Sequence, residues 1–159
     1  MNIIETTNEA MASEPTPIVR YYSGRKEITT ININVTQNDD GKYQCHTLSI
    51  SHEGRLSASD IIKIIAEKGM FSHIDATFLK CLVSLFAIPD YDTLAAVLIS
   101  GRYTYPEELS CHRKAILGDM QPLIALNAYV EQCKSLAAQC FGNADNPDNT
   151  EDNTEANNE

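Results

Sequence analysis

The sequence predicts an α+β fold, in which an N-terminal antiparallel β-hairpin packs on a bundle of four or five helices between two disordered acidic tails. Three observations predict it. Alternating apolar residues indicate strands within residues 28–51, helix-capping signals recur within residues 57–141, and acidic residues without bases are concentrated in residues 1–14 and 143–159. A chain of 159 residues suits one domain, which we place at residues 15–142.

The net charge of −10 belongs to the two ends of the chain. Residues 1–14 and 143–159 together hold nine of the 22 acidic residues and none of the 12 basic ones, so residues 15–142 are nearly neutral. Binding to a phosphate backbone needs several basic residues acting together, and no such cluster is visible; nucleic acid is therefore not a predicted partner. The base-free ends predict disorder, with a decoy for a basic partner as the alternative for residues 143–159.

The protein is expected to be cytoplasmic, without a membrane partner. Residues 1–12 have neither a basic leader nor the apolar stretch of a secretory signal. The apolar run 74–88 contains Asp75 and Lys80 and is shorter than the roughly 20 residues that a bilayer-spanning helix needs. Five cysteines without tight spacing predict reduced thiols rather than a disulfide framework.

The hairpin has the clearest strand pattern. Ile31, Ile33 and Val35 alternate with polar residues, which is the period of a strand with one buried face. Residues 37–41 (QNDDG) favour a turn, and a second β-rich run follows over residues 42–51. An extended segment over residues 16–22 precedes the hairpin, and its assignment as a strand stays open.

The helices are predicted from start and stop signals. An acidic or hydroxyl side chain precedes each apolar helical stretch, and glycine or proline follows it. The starts are Ser57 with Asp60, Ser72 with Asp75, Asp90 or Asp92, Thr104 with Glu107, and Asp119, and the ends lie near Gly69, Pro89, Gly101, Gly118 and Gly142.

The most promising interaction surface surrounds the fourth helix, where charged residues lie beside tyrosines. Tyrosine and arginine are enriched in binding hot spots, so we expect a protein partner here, or a second copy of the chain in a homo-oligomer. A solvated helix face with charge pairs four residues apart is the alternative. The predicted protein-interaction residues are Arg102, Tyr103, Tyr105, Glu108, Arg113, Lys114 and Tyr129.

The sequence predicts no catalytic, cofactor-binding or metal-binding residues. It contains no CxxC pair and no HExxH motif, and adjacent Cys45 and His46 on a strand point to opposite faces. The alternative is a small cysteine-dependent or ligand-binding enzyme with a pocket built from Cys111, His73 and His112, because a cysteine nucleophile needs a nearby histidine.

Three runs in the C-terminal half carry a family resemblance: residues 98–109 (LISGRYTYPEEL), 113–114 (RK) and 127–134 (NAYVEQCK). The chain resembles, over residues 28–140, small proteins encoded among virion structural and assembly genes of bacteriophages and prophages, particularly of Bacteroides-type hosts. Those proteins share an I-x-x-x-Y-(S/T) step into a helix and a final Y-x-x-x-(C/A)-K helix. The resemblance implies a non-enzymatic accessory or structural protein of phage tail or head assembly, in the host cytoplasm or on the virion.

Overall fold

The computed structural model describes residues 1–142 and confirms the α+β class. A four-stranded antiparallel sheet comes first, and five helices follow. The predicted acidic tail at 143–159 lies outside the described residues. The elements are β1 (Asn2–Met11), β2 (Ile18–Ser23), β3 (Lys26–Gln37), β4 (Tyr43–His52), α1 (Ala58–Glu67), a 3-10 turn (Phe71–His73), α2 (Ala76–Phe86), α3 (Tyr91–Ser100), α4 (Tyr105–Ile116) and α5 (Gln121–Phe141).

The predicted hairpin forms the centre of the sheet, whose strand order is β1-β4-β3-β2. Its turn is closed by the Gly41 amide, which donates to the Asn38 carbonyl at 3.0 Å. Gly41 has a φ of 75°, a left-handed conformation that glycine adopts without steric cost. The segment that the sequence left open is strand β2, which pairs with β3.

The prediction that residues 1–14 are disordered is wrong for most of that segment. Residues 2–11 form the edge strand β1, paired with β4 from Asn2–Ser51 to Met11–Tyr43, with a bulge between Asn8 and Met11. The domain therefore includes the N-terminal residues. The backbone bonds that order this strand come from a partner more than 30 residues away, and composition alone does not register such a partner.

The predicted capping signals are confirmed at α1, α3 and α4, whereas at α2 only Asp75 caps the helix and Ser72 lies in the preceding 3-10 turn. The Ser57 side chain accepts from the Asp60 amide at 3.1 Å, while the Asp60 carboxylate accepts from the Ser57 amide at 2.9 Å, a reciprocal capping box. Asp75 and Asp90 each accept from the amide three residues on. Helix α5 differs from the prediction, because Met120 and not Asp119 occupies its N-cap position.

One core joins the inner face of the sheet to the helices. Side chains on alternate positions of β3 and β4 enter it, and those between them lie on the outer face of the sheet. The core residues with no solvent exposure include Ile31, Leu48, Ile50, Ile61, Ile62, Ile65, Leu79, Leu82, Leu94, Leu98, Cys133 and Ala137.

A buried ion pair lies at one end of the inner face. Arg20 Nε donates to Glu27 Oε1 at 2.6 Å, and the Tyr22 hydroxyl donates to Glu27 Oε2 at 3.2 Å. Burial alone raises the pKa of Glu27, but the bonds from Arg20 and Tyr22 and the nearby His52 outweigh it, so the net pKa is lowered. Glu27 is thus held ionised at only 2% exposure.

Candidate protein-interaction site

The link between α3 and α4 is fixed at both of its ends. At its start Gly101 packs directly on α1, where a Cβ added to Gly101 would lie 2.8 Å from the Cβ of Ile62. At its end the Glu107 carboxylate accepts from the amide of Thr104 at 2.7 Å and from its hydroxyl at 2.8 Å. The Thr104 bonds lower the pKa of Glu107. Arg102 and Tyr103, the two residues between these anchors, are therefore held in place.

Tyr129 of α5 provides an aromatic support beneath this link. It is 3% exposed, and its hydroxyl donates to the Leu98 carbonyl at 2.7 Å, which satisfies one of the last carbonyls of α3. Its ring centroid lies 5.0 Å from that of Phe71 and 5.6 Å from that of Tyr103. Burial raises the pKa of Tyr129, and it raises the pKa of the Cys133 thiol to about 11. Both groups stay neutral at physiological pH.

The guanidinium group of Arg102 covers this support. Its central carbon lies 5.1 Å from the ring centroid of Tyr129 and 5.6 Å from that of Tyr103. Stacking on an aromatic face leaves the in-plane N–H donors of a guanidinium available. The side chain is exposed and makes no hydrogen bond or ion pair within residues 1–142. Arg102 is therefore an exposed cation held against two aromatic rings.

A groove of about 850 Å³ runs past Arg102 between α1, the 3-10 turn and α5. Tyr129 and Phe71 contribute aromatic surface to it, and Lys63 is its second cation. Three carboxylates also line it, but those of Asp60 and Glu107 are occupied in the capping boxes. The three carboxylates outnumber the two cations, so the lining of the groove carries no excess of positive charge.

The structure brings together some of the predicted site residues and separates others. Arg102 and Tyr103 lie at the link, and Lys114 joins them at a smaller cavity of about 270 Å³. Tyr105, at 73% exposure, is also on α4. Glu108 is half-buried, and Arg113 is exposed in the last turn of α4.

Tyr129 is buried beneath Arg102, where its ring supports the surface, and its predicted role as a partner contact stays a prediction. The position of Tyr129 on the amphipathic helix α5 is compatible both with a partner contact and with a buried position in the core. The groove residues Lys63 and Phe71 were missed, since they come from elements about 30 to 40 residues earlier in the chain. The capping box in the sequence locates the start of α1. It does not indicate which other elements α1 packs against.

The structure does not bring Cys111, His73 and His112, the residues of the enzyme alternative, together in one pocket. Cys111 is buried, whereas His73 and His112 are exposed. Cys111 and His73 line different cavities, and no hydrogen bond links Cys111 to either histidine. Within residues 1–142 no group of three or more histidine, cysteine or acidic side chains is placed to hold a metal ion.

Comparison with protein-family models, curated proteins and solved structures finds no match. In the part of the chain that the structure describes, no single helix is long and apolar enough to cross a membrane, although α2 and α3 together pass that test as a pair bent by 102°. The resemblance to phage proteins thus stays a prediction.

Proposed function

We propose that the chain is a non-enzymatic accessory or structural assembly protein that docks on a larger protein through the Arg102 surface, defined as Arg102, Tyr103, Tyr105 and Lys114. The observation that carries the proposal is the exposed guanidinium of Arg102, stacked on Tyr129 without any acceptor of its own. A cation held in this way loses little conformational entropy on binding, so a partner carboxylate gains a preorganised bidentate contact.

The partner chemistry follows from the groove. A segment that presents one carboxylate to Arg102 beside an apolar side chain matches the guanidinium of Arg102 and the half-buried ring of Phe71. A densely acidic segment fits less well, because Glu67 and two capping carboxylates line the same groove. The resemblance to phage proteins supports a place in tail or head assembly, in the cytoplasm of a bacterial host or on the virion.

The test is quantitative capture by the immobilised protein from lysate of cells that carry the native gene. Arg102→Gln removes the charge, and Arg25→Gln is the matched control, since Arg25 is exposed in the turn between β2 and β3. Loss of a hot-spot arginine weakens binding by roughly 30-fold. We expect Arg102→Gln to lose the captured protein and Arg25→Gln to retain it, with both variants melting like the unmodified chain.

A third sample, a chain ending at residue 142, distinguishes docking through the Arg102 surface from the alternative in which residues 143–159 act as a decoy. Capture that survives Arg102→Gln but disappears in the shortened chain would assign binding to residues 143–159 and refute the role of the Arg102 surface. Equal capture by all variants would place the partner surface elsewhere.

A further inference from the structure

The outer face of the sheet, on the side away from the helices, is free of charged side chains over three consecutive rows. The strand registers define these rows: each crosses the sheet from β1 through β4 and β3 towards β2. The first row is Asn2, Ser51, Ile28 and Tyr21, the second is Ile4, Ser49, Thr30 and Val19, and the third is Thr6, Thr47 and Asn32.

Apolar exposure on this face is concentrated on its two edge strands. Ile4 on β1 is 56% exposed, and on β2 Val19 is 40% and Tyr21 is 52% exposed. The two central strands carry small hydroxyl side chains such as Ser49 and Thr30, which are half-buried. The face is therefore apolar at both sides, while its centre carries small hydroxyl side chains together with Ile28 in the first row.

Charge restricts what can cover this face. The chain carries a net charge of −10, so two copies repel each other wherever carboxylates meet. The three rows offer no carboxylate to repel a copy and no cation to attract nucleic acid or an acidic protein. An uncharged surface therefore suits this face, and the same face of a second copy is such a surface.

We propose that a second copy of the chain packs on this face, with a two-fold axis parallel to the strands. Such an axis places β1 of each copy over β2 of the other, so that Ile4 meets Val19 twice. The small side chains of Ser49 and Thr30 meet at the centre and permit the close approach of stacked sheets.

Charge at the end of the face agrees with this arrangement. One row beyond Tyr21, Lys26 begins β3, and Glu53 follows the end of β4; both line one cavity. The proposed axis places β3 of one copy over β4 of the other, which sets Lys26 opposite Glu53 in both directions. The alternative axis across the strands would not place these opposite charges at the same level.

The size of the face predicts a weak dimer. Four strands about 4.8 Å apart and three rows about 7 Å apart span on the order of 400 Å² in projection. A standard interface buries about 800 Å² of each partner. The association should accordingly be visible at high concentration and dissociate on dilution. It does not depend on the Arg102 surface or on the function proposed for it.

Sedimentation equilibrium of the full chain in reducing buffer, from about 5 μM to about 1 mM, tests the proposal. The unmodified chain should change from monomer to dimer over this range. Ile4→Lys should weaken dimerisation at least tenfold, and the matched control Ile124→Lys should leave it unchanged, because Ile124 on α5 is exposed to nearly the same extent, 54%. Thermal unfolding confirms that each variant folds.

A mixing experiment tests the axis. Ile4→Lys and Val19→Glu should each dimerise poorly alone, but an equal mixture should form a dimer, because the new lysine faces the new glutamate and the remaining Ile4 faces the remaining Val19. A chain that stays monomeric up to 1 mM would overturn the proposal, as would a dimer insensitive to Ile4→Lys. If the mixture does not form a dimer, the two-fold axis parallel to the strands is refuted.

Discussion

Replacing Gly101 by alanine tests the packing that positions the candidate site. Gly101 has a φ of −64°, which alanine adopts freely, so any penalty must come from packing. A Cβ there would meet Ile62 on α1, with the Ile62 Cβ at 2.8 Å, its Cγ2 closer still, and the Lys63 amide nitrogen at 3.2 Å. Ordinary carbon contacts begin near 3.5 Å, so α1 and the end of α3 must separate by roughly 1 Å.

Two opposing effects determine the magnitude. Alanine restricts the unfolded chain and favours helical backbone, which stabilises the fold by up to about 1 kcal/mol. Overpacking of a filled interior costs about 1–3 kcal/mol. The expected result is a net loss of about 1–2 kcal/mol in the free energy of unfolding, and a melting temperature lower by about 4 °C.

Urea unfolding of a double-mutant cycle measures this loss and its cause. Gly101→Ala is compared in the unmodified chain and in an Ile62→Ala background, which removes the nearest methyl group. The cost of the glycine substitution should fall by about 1 kcal/mol in that background, because residues in contact couple. An unchanged or increased stability for Gly101→Ala, or an equal cost in both backgrounds, would refute the close contact between α1 and α3.

Two further predictions concern buried polar groups. Tyr129→Phe should lower the free energy of unfolding by about 1–2 kcal/mol in urea, because it leaves the Leu98 carbonyl unsatisfied; no loss would mean that water replaces the hydroxyl. Glu27→Gln should cost about 3 kcal/mol at pH 7, because it leaves the charge of Arg20, whose side chain is 11% exposed, without a counter-charge. Since the folded pKa of Glu27 is lowered, its stabilisation is present above the ordinary pKa of about 4.3 and is lost as the pH falls through the lower folded value. The variant should therefore lose less stability than the unmodified chain on acidification below pH 4.3, and parallel losses would contradict this role.

The helices could be predicted from sequence because their start signals are local. Asp60, Asp75 and Asp90 each act within three residues of the helix start, so a short stretch of sequence contains both partners of the contact. The central hairpin is similarly local, since Asn38 and Gly41 form its turn. In these elements local preference and global fold agree.

The edge strand and the groove could not be predicted for the opposite reason. Among residues 1–142, β1 pairs with β4 alone, and the strand carries the acidic residues Glu5 and Glu9, a composition that predicts a tail. Glu5 is instead ion-paired with Lys68, just past the end of α1. Likewise, Tyr129 and Phe71 become neighbours only when α5 packs beside the 3-10 turn. Contacts between residues so far apart in the chain can be predicted only after the topology of the fold is known.

The two proposed surfaces lie on different layers of the fold, so an assembly protein could use both at the same time. The Arg102 surface is held by the Gly101 contact and the Thr104 capping box, both within the helical layer. The outer sheet face is held by the strand ladder, and Ile4 and Tyr21 on it are exposed. Because the sheet lies between that face and the helices, a copy bound to one side leaves Arg102 on the other side accessible. Dimerisation therefore does not compete with docking; it presents two Arg102 surfaces at once, which raises the effective affinity for any partner that repeats its binding segment.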